Sequence, residues 1–330
     1  MRYVIIGGSA AAIGCIEGVR SVDKTGEIIL ITGETEWNYS RPLISYLLEG
    51  KTTRDKMWCR PDSFFTRNGV TVKAGVLATA LDAGDRTVRL STGERLAYDR
   101  LLAATGSRPF VPPIPGLETV ERTFCFQTLS DASALAEALR PESRVLILGA
   151  GLTGAKCAEG IRGLCAQIAI ADLAPRVLPA VLDDTAAAMV QARMEEKGVR
   201  FYLNDSAAAF RGNTARLQSG TELEFDVLVT AVGVRPNTQL VADAGGAVDR
   251  GILVDGRCAT TLPDVYAAGD CAQGYDAVSG EKRMLPLWPN AMLQGETAGI
   301  NMAGGRADYT QGIALNASGV FGLHMVTAGS

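Results

Sequence analysis

The chain has 330 residues, enough for two or three domains that each bury a core. Its composition, 47% hydrophobic and 21% charged with 37 glycines, fits a globular α/β protein and excludes a disordered or fibrous one. The net charge of −4, with no run of Lys and Arg, excludes a nucleic-acid footprint, and no apolar run reaches the ~18 residues that a membrane helix needs.

The chain opens on RYVIIGGSAAAIGCIEGV, residues 2–19: a short apolar strand, a glycine turn and a helical pattern. The stretch AAIGC faintly imitates a lipoprotein cleavage site at Cys15. Gly7 and Gly8 interrupt the apolar segment, only Arg2 precedes it, and cleavage would destroy a strand–turn–helix unit, so no signal peptide is expected. The turn is a degraded copy of G-x-G-x-x-G. Gly7 holds the first position, Ser9 replaces the second glycine and Ala12 the third. The Ser9 Cβ crowds an approaching phosphate, while its hydroxyl offers a donor in return. The next strand, EIILITGE, places Glu34 where a ribose-binding acid belongs. These residues alone leave two readings open: a dinucleotide site, or a phosphate-free turn kept for packing.

Farther along stand YSRP at 39–42 and LLAATGSRPFVPP at 101–113, a strand ending in Ala104–Thr105–Gly106 before a Pro-rich crossing. The second turn, in RVLILGAGLTGAKCAEGI (144–161), is complete. Gly149 makes the tight turn, and Gly151 lets the backbone approach a pyrophosphate. Gly154 lets the helix pack on the strand, and the helix start at Leu152 and Thr153 faces the phosphates. The strand IAIAD follows and ends at Asp172, either a ribose-holding acid or an exposed strand-end carboxylate. Then come AVGVRPN at 231–237 with Gly233, LPDVYAAGDCA ending in Gly269–Asp270, and WPNAMLQGETAG at 288–299.

This ordered set resembles the two-dinucleotide-binding flavoprotein reductases of the pyridine nucleotide–disulfide oxidoreductase superfamily. Within it the likeness, over roughly residues 1–310, is to NADH:rubredoxin reductases, NADH oxidases and the flavin modules of nitrite reductases. The resemblance implies two Rossmann-like, three-layer α/β domains. FAD is expected on residues 1–112 and 241–308, and NAD(H) on the inserted residues 113–240. It also implies FAD contacts at Gly7, Ser9, Ala12, Glu34, Arg41, Pro42, Ala104, Thr105, Gly106, Gly269, Asp270, Pro289 and Ala291. The implied NAD contacts are Gly149, Gly151, Leu152, Thr153, Gly154, Asp172 and Gly233. Asp270 would accept from the ribityl chain, and the helix beginning at Pro289 would face the flavin's pyrimidine edge. The implied activity is oxidation of NADH at FAD, with electrons passed to a small rubredoxin-like protein. A peroxide-forming oxidase acting on oxygen and a flavin-binding regulatory or assembly subunit are the alternatives.

Relatives with thiol chemistry carry a redox cysteine near NYSRPLISYLLEGK, where this chain has none, so turnover through a thiol is not expected. Seven cysteines without a C-x-x-C pair predict no disulfide scaffold and no metal or iron–sulfur site, but small buried side chains in a reducing cytoplasm. Hydride transfer between cofactors demands no protein acid or nucleophile, which suits a chain whose one histidine, His324, lies in the tail and is expected to be structural or exposed. Two positions depart from the family. Tyr46 stands where relatives often place a lysine near the flavin. Lys156 stands where many place a glutamate, and reads either as an exposed helix lysine or as a cation on the nicotinamide side. The tail, YTQGIALNASGVFGLHMVTAGS, reads as the opening strands of a C-terminal α+β interface domain (309–330) that stops at Ser330. Its apolar residues should dock on the chain itself or on a partner, a homodimer through this segment being one form of the second.

Overall fold

Each of the two strand–turn–helix repeats seeds its own parallel sheet. The structure, a computed structural model, describes residues 1–329. The first unit runs through β1 (Arg2–Ile6), α1 (Ala10–Val22), β2 (Glu27–Thr32), α2 (Ile44–Leu48), α3 (Asp62–Arg67) and β3 (Val70–Ala74). A meander of β4 (Ala78–Asp82), β5 (Thr87–Leu90) and β6 (Arg95–Ala97) precedes β7 (Arg100–Ala103), and β8 (Ser107–Pro109) leads out. The second unit runs through β9 (Thr123–Phe124), α4 (Leu129–Ala138), β10 (Arg144–Leu148), α5 (Leu152–Ile161), β11 (Gln167–Asp172), α6 (Asp184–Glu196) and β12 (Val199–Leu203). Its own meander, β13 (Ala207–Arg211), β14 (Thr214–Leu217) and β15 (Glu222–Glu224), precedes β16 (Val227–Thr230). Strand β17 (Val234–Pro236) returns the chain to α7 (Gln239–Asp243), β18 (Ile252–Leu253), β19 (Val265–Ala267), β20 (Ala272–Tyr275), β21 (Lys282–Met284) and α8 (Trp288–Met302).

The parallel sheets have the orders β19-β7-β1-β2-β3 and β12-β11-β10-β16-β9. The outgoing and returning crossings lie side by side, with β8 and β17 antiparallel and Arg235 opposite Arg108. Strands β1, β2, β10 and β16 read as unbroken apolar runs because both faces of each sheet are covered. In the first unit Ile13 and Ile16 of α1 pack with Ile5 and Leu30 on one face. Val88 and Leu90 of the meander pack with Val4 and Ile31 on the other. The second unit repeats the plan, with α5 and α6 below the sheet and Phe210 and Phe225 above it.

Helices α1 and α8 touch backbone to backbone. A Cβ on Gly295 would overlap the carbonyl of Ala11, and one on Gly299 that of Cys15. On Gly14 it would strike Met292, and on Gly18, Glu296. Each four-residue step along α1 matches a four-residue step along α8, so the helices are parallel and start at the same end.

The tail strands pair with each other. Strands β22 (Leu315–Val320) and β23 (Leu323–Ala328) form an antiparallel hairpin from Leu315↔Ala328 to Val320↔Leu323. Phe321 and Gly322, at φ 48° and 84°, supply the two left-handed residues of a tight hairpin turn. Val320 and Phe321 enter the core of the second unit, so the tip docks on the chain itself, while Leu315, His324 and Val326 face solvent.

Candidate active site

At the end of β1, Gly7 takes φ 117°, and a Cβ there would overlap the Ala104 carbonyl, so glycine alone lets β1 and β7 end in contact. Ser9 caps α1 without a side-chain capping bond, and the first turn of α1 holds no acidic residue. Ala12 is fully buried. Helix α8 likewise starts without a side-chain cap or an acid, with Pro289 exposed in its first turn. A Cβ on Gly269, whose φ is 80°, would crowd Ala11 at 3.2 Å and touch Ala291 at 3.6 Å. Two uncapped helix N-termini therefore converge on Gly269–Asp270, a place suited to negative charge. The Gly269 amide donates to Gln294 Oε1 at 2.7 Å. Among the described residues Asp270 accepts one hydrogen bond, a long one of 3.4 Å from Ser107 Oγ. Burial pushes its carboxyl above the usual range, against the opposing pull of Arg41 and Ser107.

Glu34 follows β2 and is engaged on both oxygens. Tyr39 donates to Oε2 at 2.7 Å, and the Arg41 guanidinium pairs with Oε1. The carboxylate that the sequence assigns to a ribose is thus turned toward its own arginine. Arg41 also donates to the Gln127 carbonyl at 3.0 Å, and Gln127 Nε2 donates to the carbonyl and hydroxyl of Ser107 at 3.0 and 3.1 Å. Pro42 is exposed in the short turn Arg41–Leu43. The Thr105 hydroxyl donates to the Asn237 carbonyl at 2.6 Å, and Asn237 Nδ2 donates back to the Thr105 carbonyl at 2.9 Å. Thr105 therefore ties the two crossings together. Gly106 has open space where a Cβ would stand. Gln127 and Gln294 organise this region yet escape a reading of the sequence. Gln294 lies inside a quoted motif, but Gln127 carries no local signal.

In the second unit Gly149 takes φ 108° against the Ala231 carbonyl, and a Cβ on Gly154 would overlap the Gly149 carbonyl. Gly151 caps α5 with nothing near its absent Cβ, which leaves the helix start open to a ligand. Leu152 is part-exposed and Thr153 exposed. Asp172 accepts from the amides of Ala150 at 2.6 Å and Ala174 at 2.7 Å, pinning the turn to the end of β11. Gly233 is exposed at φ 111° beside the same turn. Arg176, four residues past Asp172, is held by Asp184 at 3.0 Å and the Leu182 carbonyl at 3.2 Å.

Lys156 corrects the reading as an exposed helix lysine. Its side chain is 14% exposed and pairs with Glu159, donates to the Gly319 carbonyl at 3.0 Å, and lies 4.2 Å from the Tyr46 ring centre. These partners commit the ammonium to α2 and the hairpin tip. The two departures from the family, Tyr46 and Lys156, rest on each other.

Cys15, Cys59, Cys157, Cys165, Cys258 and Cys271 all have thiols pushed up by burial, the reverse of what a redox thiolate needs. Among the described residues no cluster of His, Cys, Asp or Glu offers a metal site, and no helix is long and apolar enough to cross a membrane.

These residues fit two dinucleotides. One turn is open at Gly151, and the other ends beside two uncapped helices and an under-bonded carboxylate. Residues 1–295 match the family described as pyridine nucleotide-disulphide oxidoreductase. The chain is 34% identical to the subunit epsilon of the NADH-dependent phenylglyoxylate dehydrogenase of Aromatoleum evansii, across 100% of this chain and 79% of that one. It is 30% identical to an NADH oxidase of Methanocaldococcus jannaschii, across 94% of this chain and 71% of that one. The fold is similar to the crystal structure of the covalent putidaredoxin reductase–putidaredoxin complex, with a TM-score of 0.92 and 25% identity over 99% of this chain and 81% of that one. With two glycine turns on two Rossmann-like sheets and a family match across both, the chain belongs to the pyridine nucleotide-disulphide oxidoreductases and is an NAD(P)H-dependent flavoprotein oxidoreductase that uses FAD.

Proposed function

We propose that the chain oxidises NADH at FAD and passes the electrons to a small redox protein of the rubredoxin or ferredoxin kind. The observation that carries the reading is the under-bonded Asp270 at the meeting point of α1 and α8, facing no competing thiolate. When bound, FAD supplies the chemistry, taking hydride from the nicotinamide and handing electrons to an acceptor.

In this reading the flavin unit comprises residues 1–112 and 241–308, supported by β1, β2, β3, β7 and β19 sharing one sheet. The NADH unit comprises residues 113–240, supported by the second sheet. Ser9 and the amides of the first turn of α1 hold the FAD diphosphate, Asp270 accepts from the ribityl hydroxyls, and the start of α8 orients the ring. Gly149, Gly151, Gly154 and the start of α5 hold the NADH diphosphate, with Asp172 fixing the turn and facing the ribose. A cytoplasmic setting, where NADH is at hand and thiols stay reduced, belongs to the same reading. So does a homodimer through the hairpin, whose Leu315 and Val326 are solvent-exposed.

The named relative in A. evansii is a subunit, and that favours a second reading, in which this chain is the NADH-facing subunit of a larger oxidoreductase. Anaerobic reduction by NADH, followed by titration with oxidised small redox proteins and with oxygen, tests both. Rapid bleaching with fast reoxidation by a small redox protein supports the first. Slow reoxidation by every free acceptor, with turnover restored only on co-expression with partner subunits, supports the second. A protein that takes up no FAD on reconstitution overturns both.

A further inference from the structure

Lys156 plays no part in either glycine turn, yet it joins three separate parts of the molecule. An ammonium has three donors. Here one goes to Glu159, one to the Gly319 carbonyl, and the remaining face of the group lies against the Tyr46 ring. Glu159, with 3% of its side chain exposed, accepts the Phe321 amide on its other oxygen at 2.6 Å. Arg193 of α6 donates to the Phe321 carbonyl at 3.0 Å. The hairpin tip is thus gripped by three of its backbone groups.

The helices that meet at this ammonium are the informative ones. Helix α5 starts at the open Gly151 turn, whereas α2 follows the Arg41–Leu43 turn of the first unit. One turn of α5 beyond Lys156, a Cβ on Gly160 would come within 3.1 Å of the Ser45 carbonyl oxygen. The two helices therefore meet by backbone contact at one point and through the ammonium and ring at another. A sequestered ion pair contributes little net stability against a well-packed apolar alternative, but it demands one geometry.

We propose that Lys156 is a positioning residue that fixes α5 against α2, and so sets the separation of the two dinucleotide-holding turns, with the hairpin tip as the cap that keeps the pair dry. The inference rests on the reading that the first turn holds FAD and the second NADH.

The test uses the full chain loaded with FAD. Lys156→Met alone would strand the Glu159 charge, so it is combined with Glu159→Gln, which still accepts the Phe321 amide. In anaerobic stopped-flow, the limiting rate of flavin bleaching should fall about ten- to a hundredfold, the scale of a small misplacement of reacting groups. The apparent Kd for NADH and the flavin content should stay unchanged. Tyr46→Leu should reproduce the loss and Tyr46→Phe should not. Hydrogen exchange on the flavin-free protein supplies an independent arm. In the double variant, protection in 44–48 and 315–328 should fall together while α1 and α8 keep theirs. An unchanged limiting rate, or a loosened hairpin with α2 still protected, overturns the proposal. If the unaltered chain takes up no FAD, the reading of the turns fails, and the exchange arm still decides the seam.

Discussion

Asp270 is a carboxylate with a single long hydrogen bond in a place that suits negative charge. Asp270→Ala should remove a charge-assisted bond of ~1.5–3 kcal/mol to the cofactor, or roughly 10- to 150-fold in FAD affinity, measured by release of flavin fluorescence on dilution. Because burial raises its pKa, the charge is lost as pH falls through a value above the ordinary carboxylate range. Flavin release should therefore begin at a higher pH than a solvated Asp dictates, and Asp270→Asn should flatten that dependence. The same shift makes the ionised group unfavourable to the folded polypeptide above its raised pKa, and this penalty is gone below the unfolded value. Asp270→Asn should then raise the Tm of flavin-free protein at neutral pH while weakening its hold on flavin. On the nucleotide side, Arg176 is occupied by Asp184 and Leu182, and the residue after Asp172 is the exposed Leu173, so Arg176 is not free for a 2′-phosphate there. NADH should exceed NADPH in kcat/KM, and Leu173→Arg should narrow the gap; equal values in the unaltered chain would show that Arg176 sets the choice. Residue roles were legible where the backbone demands a residue type. Gly149 and Gly154 show themselves because only glycine tolerates the positive φ or the close carbonyl. Gln127 was not legible, nor was the hold of Lys156 on the hairpin, since Ser107 lies 20 positions from the one and Gly319 lies 163 from the other and only folding brings them together.

Among the elements, the α1–α8 seam is the most demanding. Gly295→Val should force the Ala11 carbonyl aside, destabilise by about 1–3 kcal/mol as overpacking does, and lower flavin content. Gly163→Ala, with nothing near its added Cβ, is the control and should stay within about 0.5 kcal/mol by chemical denaturation. The paired strand–turn–helix units could be read from sequence because fully buried parallel strands leave continuous apolar runs before their glycines. The hairpin could be read as strands needing cover. Its dock could not, because the grip falls on backbone groups of residues 319–321, which any side-chain sequence presents alike.

For the whole molecule, every cysteine with a displaced pKa is displaced against reactivity, and Cys15 and Cys271 are fully buried. Replacing either with Ala should lower Tm yet leave flavin reoxidation by an acceptor intact; loss of reoxidation in a folded variant would place a thiol on the electron path. The motif around Gly269–Asp270 could be read as following a strand, and that strand, β19, joins the sheet of β7 and β1. The antiparallel pairing of the two crossings was not, since β8 and β17 lie more than 120 residues apart by number and are each three residues long. The parallel course of α1 and α8 has a consequence at this scale as well. Two aligned macrodipoles lying side by side repel, and each presents about half a positive charge at the shared end. Stripped of its cofactor, the fold sets only the Asp270 carboxylate against this repulsion, so a further anion between the helix starts acts as part of the architecture. Flavin-free protein should accordingly gain thermal stability as sodium chloride rises over the range that shortens the Debye length below ~10 Å, and FAD-loaded protein should respond far less.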